Sequence, residues 1–256
     1  MKVFILAGGL GTRLSEFTGL IPKPMVKIGG KPIIWHIMQT FAGYDHKDFY
    51  IALGYKSDVI KEYFLNYHAM NYDFTIELKS GSIITHQKDL IDWKATLVDT
   101  GETTLTGGRL RRVREYVGEE TFCFTYGDGV ADVDIAALLV FHHSEGRQAT
   151  LTAVQPPGRF GSLAFERGRV MGFQEKPQGD GSWINGGFFV LEPSVIDLVD
   201  GDQCIWEQRP LQTLAESGQL SAFHHRGFWQ PMDTLRDKMM LEELWQKGQA
   251  PWKLWG

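Results

Sequence analysis

Cysteine is scarce in this sequence, with only Cys123 and Cys204 among its 256 residues. Two cysteines are too few for a disulfide framework, and no close pairing of cysteine with histidine suggests structural zinc. The scarcity excludes a disulfide-stapled secreted module and fits a reduced compartment. We therefore expect a cytoplasmic protein.

Long hydrophobic runs are also missing. The apolar start of MKVFILAGG is about five residues long, shorter than the ~7–15 residues of a signal-peptide core, and Gly8-Gly9 end it. No stretch approaches the ~18 apolar residues of a membrane-spanning helix. The sequence thus predicts no membrane partner, and it predicts that the first run is a buried strand.

An excess of basic residues is missing as well, because the formal net charge is −5. A nucleic-acid-binding surface usually needs a basic stripe, so nucleic acid is not expected as a partner. The hydrophobic fraction of 43% and the charged fraction of 22% are ordinary for a globular protein with a sizeable core. Since no repeat, linker or low-complexity stretch occurs, one domain over residues 1–256 is predicted.

Short apolar runs alternate with segments of helical period along most of the chain. The predicted strands of the first part are Lys2–Ala7, Phe49–Leu53, Thr75–Leu78, Phe122–Tyr126 and Ala149–Val154, and the predicted helices are Pro32–Ala42, Val59–Tyr67, Gly107–Val117 and Ile135–His143. After Pro156-Pro157 the predicted strands are Ser162–Phe165, Val170–Glu175 and Gly187–Val190, followed by helices at Leu211–Ser217 and Leu235–Lys247. This order predicts an α/β fold with a Rossmann-like, doubly wound, mostly parallel mixed sheet, to which the C-terminal half adds β-ribbons.

A glycine-rich turn follows the first predicted strand, in the run LAGGLGTRL. Glycines let the backbone approach phosphates closely, and ligands of α/β sheets bind at the carboxyl ends of strands. Arg13 adds a charged donor for phosphate oxygens. A Walker loop is excluded because no Gly-x4-Gly-Lys-Ser/Thr run occurs, and a dinucleotide fingerprint is opposed by Leu14 at its third glycine position. A tight turn without a ligand remains the alternative.

Lys23 lies between Pro22 and Pro24, which stiffen the backbone on both sides of it. A rigid loop with one lysine can aim an ammonium at a fixed anion. A solvated loop lysine is the commoner case, so this motif gains its weight from its closeness to the glycine turn.

Together, LAGGLGTRL and PKPMVKIGGKP resemble the signature of the sugar-phosphate nucleotidyltransferases. Further segments match that family in order along the chain: YGDG (Tyr126–Gly129), FQEKP (Phe173–Pro177), NGGFFVL (Asn185–Leu191) and FWQPMDT (Phe228–Thr234). The resemblance implies an enzyme that couples a nucleoside triphosphate to a sugar 1-phosphate, releases pyrophosphate and uses Mg²⁺. It also implies a nucleotide-binding part in residues 1–155 and a sugar-phosphate-binding and oligomer part in residues 156–256.

The resemblance assigns candidate residues to each task. Nucleotide binding is expected from Leu6, Ala7, Gly8, Gly9, Gly11, Thr12, Arg13, Lys23, Thr103, Gly108, Arg109 and Gly127, and catalytic roles from Arg13, Lys23 and Asp128. Sugar-phosphate binding is expected from Gly161, Glu175, Lys176, Asn185, Gly186 and Gly187, and metal binding from Asp128 and Asp233. Taken singly, Asp128 could be a turn residue, Asp233 a residue near a helix start and Lys176 part of a surface turn.

The expected substrates rest on the same resemblance. The segment expected to read the base holds Thr103 and the run Thr106-Gly107-Gly108-Arg109, and it is most similar to family members that use CTP and glucose 1-phosphate to make CDP-glucose. UTP or dTTP as the nucleotide, and a non-catalytic nucleotide-sugar sensor, remain alternatives. The family also implies a homo-oligomer, hexamer or tetramer, and a product used for the O-antigen of lipopolysaccharide. Trp252 and Trp255 are interpreted as a subunit contact.

Overall fold

The computed structural model describes residues 1–9, 11, 14, 19–86, 91–156, 162–166, 168–174 and 182–255. Five predicted site residues, Thr12, Arg13, Gly161, Glu175 and Lys176, lie outside the described residues. No helix in the described ranges is both long and apolar enough to cross a membrane.

The helices and strands follow one another along the chain as the alternating pattern predicts. The strands are β1 (Lys2–Ala7), β2 (Lys27–Ile28), β3 (Lys31–Pro32), β4 (Asp48–Leu53), β5 (Phe74–Glu77), β6 (Ser82–Thr85), β7 (Lys94–Asp99), β8 (Phe122–Tyr126), β9 (Gly129–Ala131), β10 (Ala149–Val154), β11 (Ser162–Glu166), β12 (Arg169–Gln174), β13 (Ile184–Asn185), β14 (Phe189–Leu191), β15 (Leu220–His225) and β16 (Trp229–Pro231). The helices are α1 (Ile33–Ala42), α2 (Ser57–Leu65), α3 (Tyr67–Asn71), α4 (Thr106–Arg112), α5 (Arg114–Val117), α6 (Ile135–Glu145), α7 (Arg209–Glu216) and α8 (Leu235–Gln246), with 3-10 turns at Lys23–Met25 and Pro193–Leu198.

A mixed central sheet organises the described part of the chain. Its neighbours run β7-β4-β1-β8-β14-β10, with β13 and β15 also paired to β10. The β1–β4, β1–β8, β4–β7 and β10–β15 pairs are parallel, whereas β14 is antiparallel to β8 and β10. Small two-stranded ribbons, β11–β12 among them, lie beside this sheet. The predicted fold class is thereby confirmed.

Apolar side chains cover both faces of the sheet, as expected when strands are parallel and helices lie on either side. In β1 successive residues alternate: Val3 and Ile5 pack into one core with α1, and Phe4 packs into a second core on the opposite face. The sheet is therefore buried between two layers, and its binding groups have to lie at the strand ends.

Several element boundaries differ from the sequence prediction. The predicted strand Thr75–Leu78 belongs to the exposed β5–β6 hairpin. The outer strand of the sheet is instead β7, in a stretch for which the sequence predicts no strand. The predicted helix Gly107–Val117 is interrupted at Val113, which separates α4 from α5. A half-exposed edge strand carries little apolar alternation, which is why β7 was not recognised.

The C-terminal tail packs into the core of its own chain. Trp252 is fully buried, and its indole N–H donates to His36 Nδ1 at 3.3 Å. His36 is also fully buried, its Nε2 lies 2.9 Å from the carbonyl oxygen of Ile28, and burial lowers its pKa to about 4. Trp255 packs edge-on against Trp35. The interpretation of Trp252 as a subunit contact is wrong, because its side chain is fully buried within its own chain.

Candidate active site

The carboxyl ends of four parallel strands meet at one edge of the sheet. Ala7 of β1 is in register with Leu53 of β4, which is in register with Asp99 of β7, and Leu6 is in register with Tyr126 of β8. The chain leaves all four strands at this edge, where loop backbone and polar side chains can face a ligand.

A cavity of about 310 Å³ opens at this edge. Such a volume lies at the lower end of small-molecule sites, which span roughly 300–1,000 Å³. Its lining residues are Leu6, Ala7, Gly8, Gly9, Gly11, Lys23, Pro24, Thr104, Leu105, Thr106, Arg109, Tyr126, Gly127 and Asp128. Nine predicted site residues are therefore brought together: Leu6, Ala7, Gly8, Gly9, Gly11, Lys23, Arg109, Gly127 and Asp128.

Glycine is required by the packing at two of these positions. A Cβ on Gly8 would lie 2.2 Å from the Arg109 guanidinium, and a Cβ on Gly127 would lie 2.5 Å from the carbonyl oxygen of Leu6. The Gly8 carbonyl accepts the Tyr55 N–H at 3.2 Å, which ties this loop to the end of β4. The first glycine of the glycine-rich turn is thus packed tightly against Arg109.

Lys23 joins two carboxylates that are far apart in sequence. Its ammonium donates to Asp128 Oδ2 at 2.7 Å and to Asp233 Oδ1 at 2.6 Å. The Lys23 side chain is only 9% exposed, and its 3-10 turn follows Pro22 as the flanking prolines suggested. Asp128 and Asp233, predicted as metal ligands, are thereby brought to a single cation.

Paired strands hold these two acids side by side. Asp128 precedes β9 and Asp233 follows β16, and β9 and β16 are antiparallel with Gly129 opposite Pro231. The Met232 N–H also donates to the Asp128 carbonyl at 2.8 Å. Asp237 in the first turn of α8 then accepts the backbone N–H groups of Asp233 (3.1 Å) and Thr234 (2.8 Å) in a capping box.

The two carboxylates fit a magnesium ion chemically. Mg²⁺ prefers oxygen ligands and commonly takes one or two carboxylates together with substrate oxygens. Asp128 and Asp233 already converge on one positive charge, that of the Lys23 ammonium. Among the described residues no group of three acidic, histidine or cysteine side chains could hold a metal, so a metal here would take its remaining ligands from substrate and water.

The predicted sugar-phosphate residues that the structure describes lie next to the cavity wall. Asn185 donates through its amide to the Tyr126 hydroxyl at 3.1 Å and accepts the Gly187 N–H at 2.9 Å. Gly187 has a φ of +78°, and a Cβ on Gly186 would lie 2.6 Å from Val154. Asn185 reaches the cavity through Tyr126 and does not line it itself.

Thr103 and Gly108 do not line the cavity, although their neighbours Thr104, Leu105 and Thr106 do. Gly108 is required by close packing, since its Cβ would lie 2.4 Å from the carbonyl oxygen of Asp202. The nucleotide-binding roles of Thr103 and Gly108 remain predictions.

Sequence reasoning missed Glu207, which links two walls of the cavity. Its carboxylate accepts the Tyr126 hydroxyl at 2.5 Å and the Thr106 hydroxyl at 2.6 Å. Burial, followed by the Glu207 charge, raises the pKa of Tyr126 well above its usual range, so this phenol stays protonated and donates. Glu207 lies in an irregular segment without a motif, so no local signal could have identified it.

Arg109 is buried below the glycine-rich turn, with 4% of the residue exposed. Its guanidinium donates to five oxygen atoms of its own chain, on Gly8, Leu53, Thr100, Gly101 and Glu102. Burial is the main cause that lowers its pKa, followed by the charge of Arg112. The structure shows the intramolecular contacts of Arg109, and its role as a nucleotide ligand remains a prediction.

Comparison with known proteins identifies the family of this chain from its sequence and relates its fold to solved structures. The family model "Nucleotidyl transferase" matches residues 2–229. The chain is 61% identical over the full length of both chains to the glucose-1-phosphate cytidylyltransferase of Salmonella typhi, and 43% identical, again over both full lengths, to the probable glucose-1-phosphate cytidylyltransferase of Bacillus subtilis.

Among solved structures, HddC from Yersinia pseudotuberculosis superposes with a TM-score of 0.71 at 24% identity, covering 95% of this chain and 99% of its own. A putative glucose-1-phosphate thymidylyltransferase from Bacillus anthracis gives 0.69 at 18% identity, covering 100% and 97%. At these identities the likeness concerns the fold. The chain therefore belongs to the nucleotidyl transferase family, within which its full-length similarity is to glucose-1-phosphate cytidylyltransferases.

Proposed function

We propose that this protein transfers the cytidylyl group of CTP to α-D-glucose 1-phosphate, giving CDP-glucose and pyrophosphate. The observation that carries the proposal is the full-length identity of 61% to a glucose-1-phosphate cytidylyltransferase. The cavity supports it, because a glycine-rich turn, one lysine and two converging carboxylates are the groups that this reaction needs.

In this reaction an oxygen of the sugar phosphate attacks the α-phosphorus of CTP. The new P–O bond forms as the bond to the β-phosphate bridging oxygen breaks, and that electron pair leaves with pyrophosphate. Two polyanions have to be held together, so the protein contributes mainly positioning and electrostatic stabilisation. No covalent intermediate on the enzyme is required.

The chain offers groups for each end of the nucleotide. Backbone N–H groups of the glycine-rich turn would hold the triphosphate, with Thr12 and Arg13 on its β- and γ-phosphates. Lys23 would contact the α-phosphate at the reacting centre. Mg²⁺, held by Asp128 and Asp233 when bound, supplies positive charge that neutralises the phosphate oxygens.

The second substrate would bind on the side of β13 and β14. Lys176 would pair with the sugar phosphate, and Glu175 would accept a sugar hydroxyl. Gly161, Asn185, Gly186 and Gly187 complete the proposed sugar-phosphate residues. Support comes from Asn185, whose amide borders the cavity through Tyr126.

Pyrophosphate release tests the proposal directly. The purified protein is assayed with glucose 1-phosphate and Mg²⁺, using CTP, UTP, dTTP, ATP and GTP in parallel. We expect release that depends on both substrates and a strong preference for CTP. A preference for UTP or dTTP would overturn the base assignment. Absence of pyrophosphate release with all five nucleotides and with a wider panel of sugar phosphates would favour a nucleotide-sugar sensor.

We also propose a homo-oligomer, a hexamer or tetramer, in the cytoplasm, with the product serving O-antigen synthesis. The oligomer is supported by the β5–β6 hairpin, whose apolar side chains Ile76 and Ile83 are 45% and 57% exposed. An isolated two-stranded hairpin is marginal in water, and a second copy of the chain would cover it. The cytoplasmic location is supported by the free cysteines Cys123 and Cys204.

A further inference from the structure

The Glu207 carboxylate joins two walls of the cavity and does not line the cavity itself. Its Oε1 accepts the Tyr126 hydroxyl at 2.5 Å, and its Oε2 accepts the Thr106 hydroxyl at 2.6 Å. Hydrogen bonds from a hydroxyl to a carboxylate are short and about twice as strong as those between neutral groups. Because Tyr126 and Thr106 line the cavity, any effect of Glu207 on a substrate has to pass through these two side chains.

The backbone next to Glu207 is attached to the start of α4. The Trp206 N–H donates to Thr106 Oγ1 at 2.9 Å, and the Gly107 N–H donates to the Cys204 carbonyl at 3.0 Å. The Trp206 side chain is fully buried. Although Glu207 itself is exposed, the segment that carries it is therefore anchored, and its carboxylate has a fixed place between the two hydroxyls.

Counting donors and acceptors determines the direction of each hydrogen bond around Glu207. A carboxylate only accepts, so the single protons of the Thr106 and Tyr126 hydroxyls are both directed at Glu207. The Tyr126 oxygen then accepts from Asn185, whose Nδ2 lies 3.1 Å away. Asn185 Oδ1 accepts the Gly187 N–H at 2.9 Å, which requires the same orientation of the amide. The hydroxyl relay, defined as Glu207, Tyr126 and Asn185, thus has a single polarity.

The relay leaves one N–H of the Asn185 amide for a ligand. Nδ2 carries two protons, of which Tyr126 accepts one, and none of the described residues accepts the other. The Tyr126 ring packs closely on the backbone of Gly187, where a Cβ would lie 3.0 Å from the ring. The ring therefore has a defined position, and so has the amide that donates to it. The remaining N–H is a donor suited to a hydroxyl oxygen of a hexose, on the side proposed for the sugar phosphate.

We propose that Glu207 is a positioning residue for the sugar phosphate, which fixes the Tyr126 hydroxyl as the acceptor that orients the Asn185 amide towards a sugar hydroxyl. The inference rests on the proposed function, because it takes Asn185 as a sugar-binding residue. The same carboxylate ties Tyr126 to Thr106, next to the segment proposed to read the base. One group thereby holds both substrate walls together, and transfer between two bound substrates depends on such placement.

The first test compares Glu207→Ala with Glu207→Gln. Alanine removes both acceptor atoms, whereas glutamine keeps an oxygen for Tyr126 and gains an amide that can donate to Thr106 Oγ1. For Glu207→Ala we expect kcat/KM for glucose 1-phosphate to fall about tenfold at saturating CTP, the loss expected for a hydrogen bond to a charged group. The KM for CTP should stay unchanged, because the Trp206 N–H still holds Thr106.

Glu207→Gln should recover most of this loss, and Glu216→Ala is the matched control. Glu216 is an exposed carboxylate in α7, the helix that follows Glu207, and its variant should behave like the wild-type protein. A Glu207→Ala variant with wild-type kcat/KM would overturn the proposal, as would a Glu207→Gln variant as impaired as Glu207→Ala. If Glu207→Ala does not fold, Glu207→Met, which keeps the length of the side chain, replaces it in every measurement.

A double-mutant cycle with Tyr126→Phe tests whether Glu207 acts through the phenol. Tyr126→Phe keeps the ring and removes the hydroxyl that joins Glu207 to Asn185. In this background Glu207→Ala should cost little more, because contacting members of one network give non-additive losses. Two independent, additive losses in kcat/KM would show that Glu207 acts by another route and would overturn the proposal.

Single-deoxy analogues of glucose 1-phosphate identify the sugar hydroxyl. The four analogues lack the hydroxyl at C2, C3, C4 or C6 of the ring. For one of them, Glu207→Ala and Asn185→Ala should each cause little loss beyond that of the missing hydroxyl, since the group that the relay serves is already absent. If both substitutions reduce kcat/KM equally for all four analogues, no hydroxyl depends on the relay and the proposal fails.

NMR of the free protein examines the relay without substrate. The side-chain amide signals of Asn185, assigned by their loss in Asn185→Asp, should shift and exchange faster with solvent in Glu207→Ala and stay unchanged in Glu216→Ala. Unchanged signals in Glu207→Ala would overturn the proposal. Inactivity of the wild-type protein with CTP and glucose 1-phosphate would count against the proposed function, whereas the amide signals would still decide whether Glu207 orients Asn185.

Discussion

At the cavity, side chains of opposite charge lie in close contact. Lys23 is almost buried between Asp128 and Asp233, so each charge is stabilised by its neighbours and loses much of that stabilisation when one is removed. The consequence is that substitutions in this cluster act both on chemistry and on local structure.

Replacement of Asp128 by asparagine keeps the shape of the side chain and removes its charge. We expect turnover to fall by about a hundredfold or more, the size of effect seen when one electrostatic group is removed from an active site. The measurement is pyrophosphate release at saturating CTP and glucose 1-phosphate. Asp197→Asn, which removes an exposed pair with Arg114, is the matched control and should be fully active. Near-normal activity of Asp128→Asn would reject the catalytic assignment.

The lowered pKa of the buried His36 side chain predicts that the free energy of unfolding depends on pH. Its pKa is lowered from 6.5 to about 4 in the folded protein, so the unfolded chain binds more protons between these values. Stability from the neutral imidazole is therefore present above pH 6.5 and is lost as the pH falls toward 4, by up to about 3 kcal/mol. Urea unfolding from pH 7.5 to 4.5 measures it, with His36 titration followed by NMR. A His36 that titrates near pH 6.5 in the folded protein would contradict the prediction.

At the scale of elements, the start of α8 connects helix capping with the site. The Asp237 carboxylate caps α8 and holds the backbone of Asp233, the residue that contacts Lys23. Capping and positioning are therefore functions of the same group.

Asp237→Ala should lose both functions. We expect about 1 kcal/mol of lost stability, as for other cap residues, together with a fall in turnover of about tenfold. Asp134→Ala is the matched control, because Asp134 caps α6 by accepting the Ala137 N–H. It should lose similar stability with unchanged turnover. Thermal unfolding and the pyrophosphate assay measure the two effects, and equal turnover in both variants would show that the cap does not position Asp233.

Elements with strong periodicity could be predicted from sequence, and those defined by distant partners could not. The buried strands β1, β4, β8 and β10 are continuous apolar runs, and their predicted bounds agree closely with the observed ones. By contrast, β15 pairs in parallel with β10 and was not predicted, because nothing within LSAFHH shows that a strand some 70 residues away accepts it.

The same limit applies to the site. The motifs assigned Lys23, Asp128 and Asp233 to one predicted site, as a phosphate-contacting lysine and two metal ligands, and the structure brings their side chains together. That Arg109 would turn inward to five oxygen atoms, or that Glu207 would join Tyr126 to Thr106, depends on tertiary geometry that local sequence does not contain.

At the scale of the whole molecule, the β5–β6 hairpin exposes four apolar side chains, Phe74, Ile76, Ile83 and Ile84. In the register of this hairpin, Ile76 lies opposite Ile83. The double replacement Ile76→Thr and Ile83→Thr retains β-branched residues and removes apolar surface. We expect the oligomer to dissociate into smaller species in sedimentation velocity experiments.

Val170→Thr is the control for this experiment, since Val170 is 55% exposed on β12 and outside the hairpin. It should sediment like the wild-type protein. Unchanged sedimentation of the double variant would show that the hairpin is not a subunit contact.

The contact between Lys23 and Asp233 spans 210 residues of sequence. During translation the lysine leaves the ribosome long before the second carboxylate has been synthesised. Until then Asp128 is the only one of the two acids available to it, and the nascent chain cannot assemble the charge cluster. The proposed site is therefore completed late in synthesis, and a chain truncated before residue 233 contains the whole glycine-rich turn but lacks the second carboxylate of the cluster.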